Sequence, residues 1–296
     1  MEIRNLTSFI QVAELNSFTK AAARLGYSQS TISFQIKQLE EELDCLLFER
    51  INHTITLTEK GRELLEYAQR ICQMNEEFNQ SFNSEKLPSA FIHILMPHSL
   101  CEQMIRADYV DFHKEFPGIQ LKFTSLDTVD MFRMLDRNEA DIMLTLDTHA
   151  YQKDYVIAKE KRVGMHFVVG SRSPYAELGA LTVEEVAGLP FIATEKNAGY
   201  RRPLDELLAR RSIELAPILE LERTDMIVDV LKRGVGVAFL PDFVTDEGVR
   251  LGELKYLEVE GVDIDIWKQL IYHKNKWISR SLGLVIDFIK KRQFGA

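Results

Sequence analysis

Residues 17–43, SFTKAAARLGYSQSTISFQIKQLEEEL, constrain this chain more than any other stretch. They read as two helices joined by a tight turn. Ser17 is a good N-cap, because its hydroxyl can accept a free backbone N–H of the first turn, and Phe18, Ala21, Ala22 and Leu25 recur at helical spacing. Gly26 stops the first helix, since glycine adopts positive φ without strain. Ser28 caps the second helix, in which Ile32, Ile36, Leu39 and Leu43 form one apolar stripe. Gln29, Ser30, Ser33, Phe34 and Lys37 fall on the opposite face.

That polar face departs from the usual solvated mixture of Glu and Lys. It begins with hydroxyls and an amide, and no Asp or Glu occurs between residues 15 and 39. A helix-turn-helix sets the N-terminal half of its second helix in the major groove. There Gln, Ser and Thr hydrogen-bond to base edges, and Lys contacts guanine or phosphate, whereas a carboxylate is repelled by the backbone. An ordinary helical hairpin with a polar face has the same spacing, and spacing alone leaves the two readings level.

The resemblance of the whole segment separates them. LTSFIQVAELNSFTKAAARLGYSQSTISFQIKQLEEELDCLLFER and TLTEKG, spanning Leu6 to Gly61, resemble the N-terminal domain of LysR-type transcriptional regulators. This implies a winged helix-turn-helix that binds promoter DNA as a dimer. On that resemblance Thr19, Lys20, Gln29, Ser30, Thr31, Ser33, Phe34 and Lys37 are the expected DNA contacts of the two helices. The position of Phe34 is commonly basic or polar in the family. Phe cannot pair with guanine and packs on a thymine methyl instead, so the operator sequence does not carry over from relatives. LLFER and HTITLT read as short strands with INH as a wing tip, which makes Arg50, Asn52, His53 and Thr54 expected backbone contacts. For His53 a plain solvated loop position fits as well.

Charge is a poor guide here. The net charge is −9, and residues 1–70 carry eight Lys and Arg against ten Asp and Glu. Non-specific affinity rests on phosphate neutralisation and should be modest. The cations are nevertheless placed usefully: Lys20 and Lys37 flank the polar face, while Arg50 and Lys60 bracket the wing. Apolar content of 46% and charged content of 27%, over 296 residues, fit a globular protein of about two domains. No signal peptide and no apolar run of about 20 residues is visible, so the expected location is cytoplasmic, without membrane contact.

Leu6, Phe9, Ile10 and Ala13 give the first helix a buried face. After the wing, Thr58 caps a long helix reaching about Ser84. Leu64, Ala68, Ile71, Asn75, Phe78 and Phe82 follow a heptad rhythm along it, which predicts pairing with a second copy, Asn75 fixing the register. This helix resembles the family's linker, which makes the dimer, and dimers in the family often join into tetramers.

Beyond Leu87–Ser89 strands and helices alternate, which implies a mixed or parallel α/β sheet. FIHILM, IQLKFTS and ADIMLTL read as strands, with helices over Ser99–Phe116 and Thr128–Arg137. KRVGMHFVVG crosses into a second lobe containing FIATE, PILELE and VGVAFLP. WKQLIYHK returns to the first lobe and SLGLVIDFIKKR closes it. EFPGIQLKF, NEADIML and LKRGVGVAFLP resemble the family's effector domain, of periplasmic-binding-protein type. The expected organisation is a DNA-binding domain at 1–58, a linker at 59–87 and an effector domain at 88–296. Its lobe I covers about 88–161 and 267–296, and lobe II about 162–266.

Ligands of α/β sheets sit at the carboxyl ends of strands, where helix N-termini favour anions. The candidate effector contacts are Pro97, His98, Ser99, Ser125 and Thr128 from lobe I, with Thr194, Tyr200, Arg201 and Thr224 from lobe II. Ser99 and Thr128 match the family's inducer-holding hydroxyls, and both also fit simple helix caps. Arg201 and Arg202 suggest an anionic metabolite, guanidinium being bidentate toward carboxylate or phosphate. They fit surface pairs with Glu195 or Asp205 equally well.

Cys101 lies in the first turn of a predicted helix, where a thiol pKa falls, as in a redox sensor. Cys45 and Cys72 are remote and the effector domain holds no second thiol, so a buried, inert Cys101 is the favoured reading. An enzyme is not expected: P-loop, GxSxG, HExxH and dinucleotide patterns are missing, and RGVGVAF lacks the third glycine. His93, His98, His113, His149, His166 and His273 show no metal spacing, so neither metal nor cofactor is expected. A transport solute-binding protein shares the lobes but not the DNA-binding start. Promoter DNA, a small inducer, a second copy of the chain and RNA polymerase are the expected partners.

Overall fold

The structure, a computed structural model, describes residues 1–51, 54–82 and 89–295. The first domain contains α1 (Ile3–Leu15), α2 (Phe18–Leu25), α3 (Gln29–Leu43), β1 (Phe48–Ile51), β2 (Thr54–Leu57) and α4 (Glu59–Phe82). Its caps fall where side-chain chemistry puts them. Ser17 Oγ accepts the Lys20 N–H at 3.3 Å, and Ser28 Oγ accepts the Thr31 N–H at 3.1 Å. Gly26, at φ 70°, ends α2. Each such cap stabilises its helix by about 1 kcal/mol.

Leu6, Phe9, Ile10, Ala13, Phe18, Ile32, Ile36 and Leu39 are all buried in one core. The Phe48 ring closes that core from β1, with its centroid 5.4 Å from Phe9 and 5.8 Å from Phe18. Leu43 departs from the expected stripe. It lies in the last turn before the left-handed Asp44 and is 41% exposed, so the stripe ends at Leu39. Leu47, after the turn, fills the core instead.

Thr58 caps α4 as expected: its Oγ1 accepts the Gly61 N–H at 2.9 Å and donates to the Leu46 carbonyl at 2.7 Å. The expected heptad seam needs correction. Alpha-4 does not lead away from the first core but lies along α1. Ala68 is fully buried there with Leu65 and Cys72, and Leu64 and Ile71 pack at the margin. The first half of that seam therefore serves its own chain. Asn75 is half-buried and Phe78 exposed, while the Phe82 side chain lies outside the described residues. A different row, Tyr67, Met74 and Phe78, faces outward at heptad-compatible spacing.

The remainder runs β3 (Ala90–Leu95), α5 (His98–Ala107), α6 (Tyr109–Glu115), β4 (Ile119–Thr124), α7 (Thr128–Asp136), β5 (Ile142–Asp147) and β6 (Tyr155–Val163). There follow β7 (Met165–Gly170), β8 (Leu181–Thr182), α8 (Val183–Ala187), β9 (Phe191–Ala193), α9 (Arg201–Arg210), β10 (Pro217–Glu220) and α10 (Thr224–Lys232). The chain ends with β11 (Val237–Pro241), α11 (Asp242–Arg250), β12 (Leu254–Leu257), β13 (Val259–Glu260), β14 (Ile266–His273) and α12 (Arg280–Gln293). The helix expected over Ser99–Phe116 is two helices, broken at Asp108, whose buried carboxylate accepts the Gln293 amide from α12.

Two five-stranded sheets result, ordered β4-β3-β5-β14-β6 and β10-β9-β11-β7-β12. They are built alike. In each, three parallel strands are followed by an antiparallel one, β14 or β7. Gly164 separates β6 of the first sheet from β7 of the second, and β14 brings the chain back. The carboxyl ends of β3, β4, β9 and β10 consequently face one cleft between the lobes.

The first domain also docks on lobe I. Glu14 of α1 accepts the Trp277 N–H at 3.0 Å and the Asn138 amide at 3.3 Å, and the Trp277 ring packs against the helix-turn-helix core. Gln69 of α4 donates to the Asn275 carbonyl at 3.2 Å. Among the described residues no helix is long and apolar enough to cross a membrane.

Gly61 marks the tightest approach in the first domain, since a Cβ there would stand 2.2 Å from the Leu47 carbonyl oxygen. Gly61→Ala should destabilise the helix-turn-helix by roughly 1–3 kcal/mol through overpacking against backbone. Thermal unfolding followed by circular dichroism would read this as a lowered midpoint.

Candidate DNA-reading face and effector cleft

With Ile32, Ile36 and Leu39 inward, α3 turns Gln29, Ser30, Phe34 and Lys37 to solvent, and Ser33 is half-exposed. Phe34 is 64% exposed. Thr19 and Lys20 are exposed at the start of α2. Thr31 is half-buried, and its hydroxyl lies 2.8 Å from the Ser28 Oγ that caps α3, so it belongs to the cap as much as to the face. Gln35 instead points inward and accepts from the Ser8 hydroxyl at 2.6 Å, tying α3 to α1. Lys37 pairs with Glu41 at 3.4 Å on an exposed face, a weak bond that a phosphate can displace. In the wing, Asn52 and His53 lie outside the described residues, as do the side chains of Arg50 and Thr54.

The cleft between the lobes has a volume of about 180 Å³. Pro97, His98 and Ser99 line it after β3, and Ser125 and Thr128 after β4. Tyr200 and Thr224 line it from the lobe II side. Seven of the candidate effector residues are thus brought together. Asp127, rather than Thr128, caps α7, its carboxylate accepting the Asp130 N–H at 2.8 Å. Pro97 precedes α5 and makes no side-chain cap.

Two candidates are not brought to the cleft. Arg201 is buried, but its guanidinium donates to the Thr194 carbonyl at 3.0 Å and to Asp205 at 2.7 Å. It fastens the start of α9 to the end of β9, and neither Arg201 nor Thr194 lines the cavity. Arg202 pairs with Asp147 at 3.0 Å, bridging lobe II to lobe I. The anion reading built on these two arginines is therefore corrected: each has a carboxylate of its own.

Glu195, Asn197 and Gly199, within the turn at 194–202 that the sequence places at the cleft, line it without having been named as contacts, and Glu222 lines it unforeseen. The available signal was position: Glu195 and Glu222 each follow a lobe II strand at its carboxyl end. Burial raises the Glu195 pKa, and the carboxylates of Glu222 and Glu220 raise it further. Gly199 lets this loop lie against lobe I, because a Cβ there would stand 2.4 Å from the Leu146 carbonyl oxygen. Tyr200, the next residue, is packed into the lobe I core.

Residues 3–62 match a family model described as "Bacterial regulatory helix-turn-helix protein, lysR family", and residues 86–293 match "LysR substrate binding domain". The chain belongs to the LysR family of transcriptional regulators. An uncharacterized HTH-type transcriptional regulator of Bacillus subtilis, YwqM, is 27% identical over 98% of this chain and 99% of its own. The RuBisCO operon transcriptional regulator of Allochromatium vinosum is 24% identical over 98% of this chain and 95% of its own. Among solved structures, CrgA of Neisseria meningitidis has a TM-score of 0.56 at 20% identity, covering 98% of this chain and 99% of its own. A full-length OxyR variant of Pseudomonas aeruginosa also has 0.56, at 17% identity, covering 98% and 95%. These structures share the fold: a helix-turn-helix followed by a two-lobed α/β domain. The curated relatives named here are transcriptional regulators.

In this LysR regulator Cys101 is half-buried, packs against the lobe I core, and has its thiol pKa raised by burial first and by Glu102 second. Burial outweighs the helix terminus, so the thiolate is scarce at neutral pH. Peptide mapping after iodoacetamide at pH 7 should show Cys101 alkylated more slowly than a free cysteine, the gap narrowing as pH rises.

Proposed function

We propose that this regulator binds promoter DNA as a homodimer, or as a homotetramer of two such pairs, with α3 in the major groove. A small metabolite held between the effector lobes changes the geometry of that assembly. The observation that carries the reading is the outer surface of α3, whose small polar groups, Phe34 and Lys37 are free of acids through the first half of the helix. The exposed row Tyr67, Met74 and Phe78 on α4 supports pairing of two copies along this helix. Half-site spacing then mirrors the symmetry of the pair, and the regulator acts in the cytoplasm on DNA shared with RNA polymerase.

Helix α7 supplies a route between ligand and DNA. Its first residue, Thr128, lines the cleft, and Asn138, two residues past its end, donates to Glu14 of α1. A ligand that favours one setting of α7 therefore favours one docking of the DNA-binding domain, which is a population shift between two arrangements.

Footprinting on the DNA adjoining its own gene, with and without a metabolite panel, tests the reading. Gln29→Ala and Ser33→Ala should each weaken specific binding by roughly 1–3 kcal/mol while circular dichroism stays unchanged. Footprints that survive both changes would mean that another element reads the sequence.

A further inference from the structure

The charges of the cleft point to the kind of ligand it takes. Among the described residues, three carboxylates line it, those of Asp127, Glu195 and Glu222, and no Lys or Arg does. The nearby cations are engaged elsewhere: Arg201 with Asp205, Arg202 with Asp147, and Arg223 with Asp225. Lys196 is exposed and does not line the cavity. Two of the helix N-termini at the cleft already hold carboxylates of their own. Asp127 caps α7, and Asp225 accepts the Met226 N–H at 2.9 Å in the first turn of α10. The positive ends of those dipoles are thereby largely offset.

A second, independent observation concerns hydrogen bonding. Among the described residues, Glu195 Oε2, Thr224 Oγ1 and His98 Nδ1 are buried polar atoms without a protein partner, and all three residues line this cleft. Thr224 as a whole is only 2% exposed. Buried polar groups in native proteins are almost always satisfied, so such a convergence marks where a ligand's polar atoms belong.

We infer that the cleft binds a small metabolite carrying a protonated nitrogen, an ammonium or amidinium group held between Glu195 and Glu222, with a hydroxyl or carboxylate of the same ligand received by Thr224 and the N-terminus of α5. A charged N–H donor satisfies Glu195, and removes its repulsion with Glu222, in a way that a carboxylate ligand cannot. Alpha-5 starts without a side-chain cap and sets His98 and Ser99 of its first turn on the cleft, which leaves its first amides for the acceptor end of such a molecule. The inference rests on the cleft being the effector site.

The test uses the full-length protein and matched probes: putrescine, agmatine and arginine as amines, succinate and benzoate as acids, and butanediol as a neutral control. Binding is read by calorimetry and by thermal shift. At least one amine should bind, and Glu195→Gln should weaken it roughly tenfold or more, with Glu195→Asp restoring part of the affinity. Glu195→Gln keeps the shape of the side chain, and an unchanged apo melting curve verifies folding. Binding of the acids alone, or no binding by any probe, overturns the amine assignment. Ser125→Trp, which fills the cleft, separates the two readings. If acids bind and Ser125→Trp abolishes it, the cleft stands as the effector site and the amine assignment falls. If an amine binds but neither Ser125→Trp nor Glu195→Gln affects it, the site lies elsewhere and both readings fall.

Discussion

Burial of one narrow stripe sets the orientation of everything that concerns DNA. Ile32, Ile36 and Leu39 of α3 are each at most 1% exposed, and the aromatic trio of Phe9, Phe18 and Phe48 closes the same core. Burying each of these side chains contributes about 1.5–3 kcal/mol, so rotating α3 about its axis would forfeit most of the stability of so small a domain. The outer residues of α3 are therefore fixed without any contact of their own. The Ser28 cap and the Ser8–Gln35 hydrogen bond then fix the helix along its axis. The polar face is presented rigidly because the apolar face has nowhere else to go.

The same logic explains how much of the molecule was legible in its sequence. Caps are local chemistry, and Ser17, Gly26, Ser28 and Thr58 all occupy the roles their side chains suggested. Strands and lobes were legible because buried parallel strands are continuous apolar runs bounded by turn residues. The breaks came where a distant residue decides. Asp108 sits where one expected helix breaks into two, and its carboxylate accepts the amide of Gln293, nearly two hundred positions away. Ala68 looked like part of an intermolecular seam because a heptad pattern does not say which surface covers it; here α1 does.

The effector cleft shows the limit most clearly. Seven of nine candidate residues lie in it, since strand ends and helix starts are readable. Its charge was misread because residue type says nothing of pairing. Two arginines in succession suggest an anion site, yet each is consumed within the fold, one holding a carbonyl and Asp205, the other reaching across to Asp147. What is left lining the cleft is Asp127, which caps α7, and the pair of glutamates at the ends of two strands. Desolvation by the surrounding loop turns one of these into an energetically unsatisfied group, a property of tertiary structure alone.

Helix α7 has nine residues, about 13 Å from end to end, too short to bend and packed by Met131 and Leu135 against its own sheet. A lever of that length passes a tilt at one end almost undiminished to the other. Thr128 at its start and Asn138 just past its end belong to one polypeptide, so under the proposed function each subunit would carry its own line from cleft to DNA-binding domain. Under that same proposal, partial occupancy would produce lopsided complexes, one arm repositioned and one not.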